Sequence, residues 1–185
     1  IGPQALELGD FNHDGYADLI VQVAGAGSSL PKQLQVYLSL GDGSFDPVPS
    51  ATGLTPNNGN QGRFALAHSD SDNHLDLLWI TQRYTGSYPN TLFFSAIERW
   101  QGDGLGGLSY AGDALTGPLG GAIFSALNVT SLNNDGQYDL WLRQYDSGSG
   151  AGSVATVLGG PASVIPDLQI SAASETVNTG LALTL

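Results

Sequence analysis

The chain has 185 residues and a formal charge of −12, from 17 acids against 5 bases, with no cysteine and no methionine. That balance excludes a grip on nucleic acid, because neutralising phosphates takes clustered Lys and Arg. The missing thiols exclude disulfides, cysteine-ligated zinc and thiol catalysis. The length suits one domain or part of a larger one, and 41% apolar residues can bury a core.

Ile1 follows neither a start methionine nor a charged-then-apolar leader, the pattern expected of a processed product or an excised piece. Leu6 and Leu8 alternate with other residues, as in a strand with one polar face. The acidic window GDFNHDGYADLIV at 9–21 then runs into LIVQV at 19–23, an unbroken apolar run that reads as a strand covered on both faces. A third strand, QLQVYLSL at 33–40, ends in the turn Gly41–Gly43.

The same order returns twice. Phe64 and Leu66 precede AHSDSDNHLDLLWI at 67–80, whose LLWI (77–80) is followed by TLFFSAIERW at 91–100 and a second Gly-Asp-Gly at Gly102–Gly104. Leu127 and Val129 precede TSLNNDGQYDLWL at 130–142, with LWL at 140–142, VATVL at 154–158 and Gly159–Gly160 beyond. Superposing Asp18, Asp76 and Asp139 gives spacings of 58 and 63 residues. It also stacks Asp14 on Asp72 and Asp135, and Asn12 on Asp70 and Asn133. Such matched spacing is an internal repeat. No stretch shows sustained helical periodicity with caps. The predicted class is all-β, with three four-stranded antiparallel units over about 4–60, 61–125 and 126–165. A tail, 166–185, holds two short strands, and no apolar run nears the roughly 20 residues of a membrane-spanning helix.

The loops carry the chemistry. Asp10, Asn12, Asp14, the backbone carbonyl of Tyr16, and Asp18 offer an oxygen at every second position. Alternate residues of a tight loop point inward, and Gly15 supplies the dihedral that bends it. Five hard oxygen donors at flexible geometry suit Ca²⁺ rather than Mg²⁺ or a softer metal. The second loop offers Asp70, Asp72, the carbonyl of His74, and Asp76, with His68 in the place of Asp10 and Asn73 in that of the bend glycine. Asn tolerates left-handed dihedrals, so the bend is expected to survive. The third loop offers Asn133, Asp135, the carbonyl of Gln137, and Asp139, with Ser131 at its first position. The expected order of occupancy is first, second, third. Crowded carboxylates are expected to strain an ion-free loop or to raise a carboxyl pKa, and acid should release the metal because protons compete for the same oxygens.

The pattern Asp-x-Asn-x-Asp-Gly-x-x-Asp-Leu between two strands, with Gly41-Asp42-Gly43 and Phe45 downstream, resembles FG-GAP/VCBS repeats. These are the blade units of integrin-α-like β-propellers and of many secreted bacterial and fungal proteins. The resemblance covers residues 4–165; it is strong in the first unit and degenerate in the other two. It implies blades of a partial or open propeller and a structural Ca²⁺ between two strands of each. It also implies an extracellular or cell-surface setting, and a role in adhesion, glycan binding or attachment to a larger secreted enzyme or toxin. Propellers close with 4–8 blades, so a three-blade arc exposes its end faces and is expected to associate with copies of itself or with other chains.

An enzyme is not expected. Glu7, Glu98 and Glu175 are scattered, GDGLGG at 102–107 has no helix after it, and no Gly-x-Ser-x-Gly elbow appears. Hydrolase chemistry from the loop carboxylates is the weaker reading, since an ion explains their pairing. Trp79 and Trp141 follow the closing aspartates and read as core. Trp100, Tyr84, Tyr88, Tyr110 and Tyr145 lie near polar or glycine-rich turns, where sugar-stacking platforms would sit. Asn128-Val129-Thr130 is a glycosylation sequon on a predicted strand. Asp14→Ala removes a central ligand, so it should lower Tm in calcium and change it little in EGTA; an equal loss in both would detach the loop from the ion.

Overall fold

The computed structural model describes residues 5–23, 32–56, 60–70, 72–85, 92–116, 122–130, 139–146 and 152–157. These residues form eleven strands and no helix. In chain order they are β1 (Ala5–Gly9), β2 (Asp18–Val23), β3 (Gln33–Tyr37), β4 (Ala51–Leu54), β5 (Asn60–Ala67) and β6 (Asp76–Thr85). There follow β7 (Leu92–Gly102), β8 (Leu108–Thr116), β9 (Ala122–Thr130), β10 (Asp139–Asp146) and β11 (Gly152–Val157). They make three separate antiparallel sheets in strict meander order: β1-β2-β3-β4, β5-β6-β7-β8, and β9-β10-β11. The third sheet shows three strands among the described residues. The segment 166–185, the third acidic loop between β9 and β10, and Tyr88 lie outside the described residues.

The sequence pattern explains the stacking. In each sheet the strand after the acidic loop is central, and its apolar run is buried from both sides: residues 76–81 of β6 are all buried. One cluster joins the first two sheets, with Phe11, Ile20, Leu34 and Val36 against Phe64, Leu77, Trp79 and Trp100. A second joins the next two, with Ala65, Leu78, Ile80 and Ile97 against Phe124, Leu127, Leu140 and Leu142. Leu77 and Trp79 therefore face the first blade, while Leu78 and Ile80 face the third. Neighbouring blades share seams rather than one central core, as in repeat architectures where each unit contacts only its neighbours. Trp79 is a core residue as expected, whereas Trp141 is half-buried on the side of β10 turned away from the second blade.

Polar links cross both seams. Ser50 Oγ donates to the Gly106 carbonyl at 3.0 Å, and the Phe124 N–H donates to Ser95 Oγ at 3.0 Å. The Gly-Asp-Gly turns close on their own aspartates: Asp42 Oδ1 accepts from the Ser44 N–H at 2.9 Å, and Asp103 Oδ1 accepts from the Leu105 and Gly107 N–H groups at 2.8 Å each. Leu142→Ala at the second seam should cost about 2–5 kcal/mol, whereas Val48→Ala, on an exposed turn, should stay within about 0.5 kcal/mol. Urea denaturation of both variants measures the difference.

Candidate metal centre

Each acidic loop joins an outer strand to the central strand of its sheet, and the residue that ends it opens the central strand. Asp18, Asp76 and Asp139 occupy that position in the three sheets, and all three are fully buried. A buried carboxylate is tolerable only with strong partners, and two of the three sets are visible in full. Asp18 Oδ2 accepts from the Phe11 N–H at 2.8 Å and Oδ1 accepts from the Ser39 N–H at 2.8 Å. Asp76 Oδ2 accepts from the Ser69 N–H at 2.8 Å and Oδ1 accepts from the Gly102 N–H at 2.9 Å. The pattern is the same: one carboxylate ties the start of the acidic loop, the start of the central strand and the end of the next strand. Gly102 also has to be glycine for space, since a Cβ there would stand 2.3 Å from the Leu75 carbonyl oxygen.

The loops turn as the sequence predicts. Gly15 has φ +86°, and Asn73, at the matching position, has φ +65°. His13 adds a second left-handed residue at φ +61°. Within the first loop the side chains serve the backbone: Asp10 accepts from the Asp14 N–H at 3.2 Å and from the Gly15 N–H at 3.0 Å. Asn12 Oδ1 also accepts from Asp14 N–H at 3.1 Å, and Asp14 Oδ1 accepts from the Tyr16 N–H at 2.8 Å. In the second loop Asp70 Oδ1 accepts from the Asp72 N–H at 3.1 Å, and Asp72 Oδ1 accepts from the His74 N–H at 2.8 Å.

Among the described residues, the group of acids that converges is Asp70, Asp72 and Asp76, each offering an oxygen within 4.8 Å of the others. Oxygens on opposite sides of a Ca²⁺ ion, each 2.3–2.6 Å from it, stand about that far apart, so this donor set fits a hard divalent cation. The first loop carries Asn12 at the place of Asp70, so it has one carboxylate fewer at these three positions. The loops also differ at their first position. Asp10 spends both oxygens on N–H groups of its own loop, whereas its counterpart His68 turns its ring to the His74 carbonyl, with Nδ1 at 2.9 Å. A carbonyl only accepts, so Nδ1 carries the proton, and the carbonyl named as the fourth donor of this loop has one lone pair engaged. Of the third loop, Asp139 is described; Asn133, Asp135 and Gln137 lie outside the described residues.

Of the two expected signs of crowding, strain or a raised carboxyl pKa, Asp70 does not show the second. Partial burial pushes its carboxyl up, but the Asp72 N–H, the Gln101 amide and the charge of Arg99 outweigh burial and hold it below the usual carboxylate range. The folded state therefore favours the ionised form. The stability this gives is complete above the ordinary carboxylate range and is lost as pH falls through the lowered value.

Sequence reasoning missed a second polar cluster. Arg83 Nη2 donates to Glu98 Oε1 at 2.8 Å and to Asp113 Oδ1 at 2.6 Å, and Nη1 pairs with Asp113 Oδ2 at 2.5 Å. Trp100 Nε1 donates to Glu98 Oε2 at 3.1 Å, and the Tyr110 hydroxyl donates to Asp113 Oδ1 at 3.1 Å. Trp100 is thus no exposed platform: it is buried, with ring centroids 6.2 Å from Trp79 and 5.8 Å from Tyr110. Tyr84 and Tyr110 are exposed, and the side chain of Tyr145 lies outside the described residues. Asn128 is exposed on β9. No sequence signal marks the cluster in advance, because shifts of register between β7 and β8 bring Tyr110 and Asp113 beside Trp100 and Glu98.

Asp18→Ala removes two charge-assisted bonds and strands two backbone N–H groups. It should cost about 3 kcal/mol in calcium and in EGTA alike, measured by urea denaturation in both buffers. A loss confined to calcium would make Asp18 a metal ligand only.

Residues 10–79, which include the first two acidic loops, match the family model for an FG-GAP-like repeat. No curated protein and no solved structure shows significant similarity to the chain. With the sheets stacked face to face and the loops at matching strand junctions, the chain carries an FG-GAP-like repeat across its first blade and into its second, within a β-propeller-like module.

Proposed function

We propose that the chain is a calcium-stabilised, non-catalytic propeller module of the extracellular space or cell surface, serving adhesion or assembly. The observation that carries this reading is the convergence of Asp70, Asp72 and Asp76, three carboxylates whose mutual repulsion a divalent cation relieves. The loop stands where two blades meet, because the Gly9 backbone packs beside Leu66 and Leu75. An ion there holds an interblade junction as well as one sheet. Extracellular calcium levels suit sites of modest affinity, which is the support for the setting.

Assembly has its own support. Leu6 and Leu8 of β1 match Phe64 and Leu66 of β5 in the repeat; the latter pack in the first seam, while Leu6 and Leu8 are 58% and 57% exposed. The first blade thus presents outward the kind of apolar face that the second blade buries against it, and another propeller blade, from a copy or a different chain, is its natural cover.

A glycan-binding accessory role is the second reading. A cleft of about 470 Å³ between the first two blades is lined by Glu7, Asp10, His13 and His68 beside Leu66 and Leu75. Burial pushes the Glu7 carboxyl up, and polar groups set beside apolar walls suit a sugar.

Saturating one site at a hundredfold excess of calcium over Kd should add about 2.7 kcal/mol, roughly 5–10 °C in Tm, reversed by EGTA. Sedimentation in the same two buffers should show large particles in calcium alone. No shift in Tm sinks the calcium reading; a monomer in both buffers sinks assembly, and binding on a glycan array then favours the second reading.

A further inference from the structure

Four buried side-chain atoms among the described residues have no hydrogen-bond partner in the protein: Gln22 Nε2, Trp79 Nε1, Thr81 Oγ1 and Arg83 Nε. Their residues are 4%, 0%, 0% and 9% exposed. All four sit on one seam. Trp79, Thr81 and Arg83 alternate along β6 and so share a face, the one whose Trp79 packs with Ile20 in the cluster between the first two blades. Gln22, two residues past Ile20 on β2, lies on the opposing face.

The second seam is built differently at two of these positions, while the side chains of Gln144 and Asp146, the counterparts of Thr81 and Arg83, lie outside the described residues. Superposing the closing aspartates places Ile80 over Gln22 and Leu142 over Trp79, and both are buried in the other apolar cluster. Unsatisfied buried donors are rare in native interiors, so four such atoms on the facing surfaces of one seam call for partners between the blades.

The donor chemistry identifies that partner. An amide N–H, an indole N–H and a guanidinium N–H only donate, and a hydroxyl does either. The partner therefore supplies acceptors, which disfavours a cation. An anion is disfavoured as well, because Glu98 and Asp113 already outnumber Arg83, the cation they bind. An uncharged oxygen remains. The site is buried and offers several polar groups within one face, the condition for an internal water, which takes two to four partners.

We infer that the seam between the first and second blades is a hydration site. Ordered water accepts from Trp79 Nε1, Arg83 Nε and Gln22 Nε2, bonds Thr81 Oγ1, and bridges β2 to β6. The seam is joined by solvent as well as by apolar contact, and at its Arg83 end stands the Asp113 carboxylate, 26% exposed.

A crystal structure of the whole chain at atomic resolution tests this directly. The expected result is density for water about 2.7–3.2 Å from at least two of the four atoms. Water-oxygen relaxation dispersion in solution should count at least one long-lived internal water, lost in the Thr81→Val variant if that variant folds. Density showing the four atoms paired with protein groups, an ion or a sugar there, or a dry seam, overturns the inference; the wild-type density decides alone if Thr81→Val does not fold.

Discussion

The structure depends on one recurring bond pattern, the buried aspartate that opens the central strand of each sheet. Asp18 and Asp76 each hold backbone N–H groups from two other segments, at 2.8–2.9 Å. An ionised carboxylate in an apolar setting is costly unless its oxygens are satisfied, and backbone donors satisfy them without side-chain entropy. The same bonds fix where the acidic loop starts and where the third strand ends. The loop is thereby held in a tight turn, and in the second loop Asp70, Asp72 and Asp76 converge. The clamp is a folding device in its own right, made of bonds to backbone that need no ion.

Stacked on this pattern are two seams of different character. The seam between the second and third blades is apolar at its centre, with Leu78, Ile80, Leu140 and Leu142. The seam between the first and second blades adds a buried arginine with two carboxylates, two tryptophans and a tyrosine to its apolar cluster. Truncating one partner of a buried ionic network leaves an uncompensated charge, so Arg83, Glu98 and Asp113 form a set in which each depends on the others. Apolar seams tolerate many volume-conserving exchanges; a network of fixed donors and acceptors specifies one register between the blades.

The two described acidic loops differ at their first two ligand positions. Asp10 accepts from N–H groups of its own loop, whereas His68 turns Nδ1 to the His74 carbonyl; Asn12 stands where the second loop has Asp70, one of the three gathered acids. The Asp70 carboxyl is held low by donors from Asp72 and Gln101 and by Arg99, groups supplied partly by β7 rather than by the loop.

The sequence by itself determined the all-β class, the three acidic loops, the bend at Gly15 and Asn73, and the burial of Trp79. Each of these follows from local spacing: alternation sets a strand, a continuous apolar run sets a strand covered on both faces, and a residue's dihedral tolerance sets a turn. Only the tertiary structure decided that Asp18 and Asp76 clamp Ser39 and Gly102, residues 21 and 26 positions away. It alone placed Trp100 in the interior and joined Arg83 to Asp113 across 30 residues. Those pairings depend on strand register and on how β8 is offset against β7, which no periodicity encodes. The offset moves Tyr110 and Asp113 beside Trp100 and Glu98, and partners this distant meet only once the sheets have stacked.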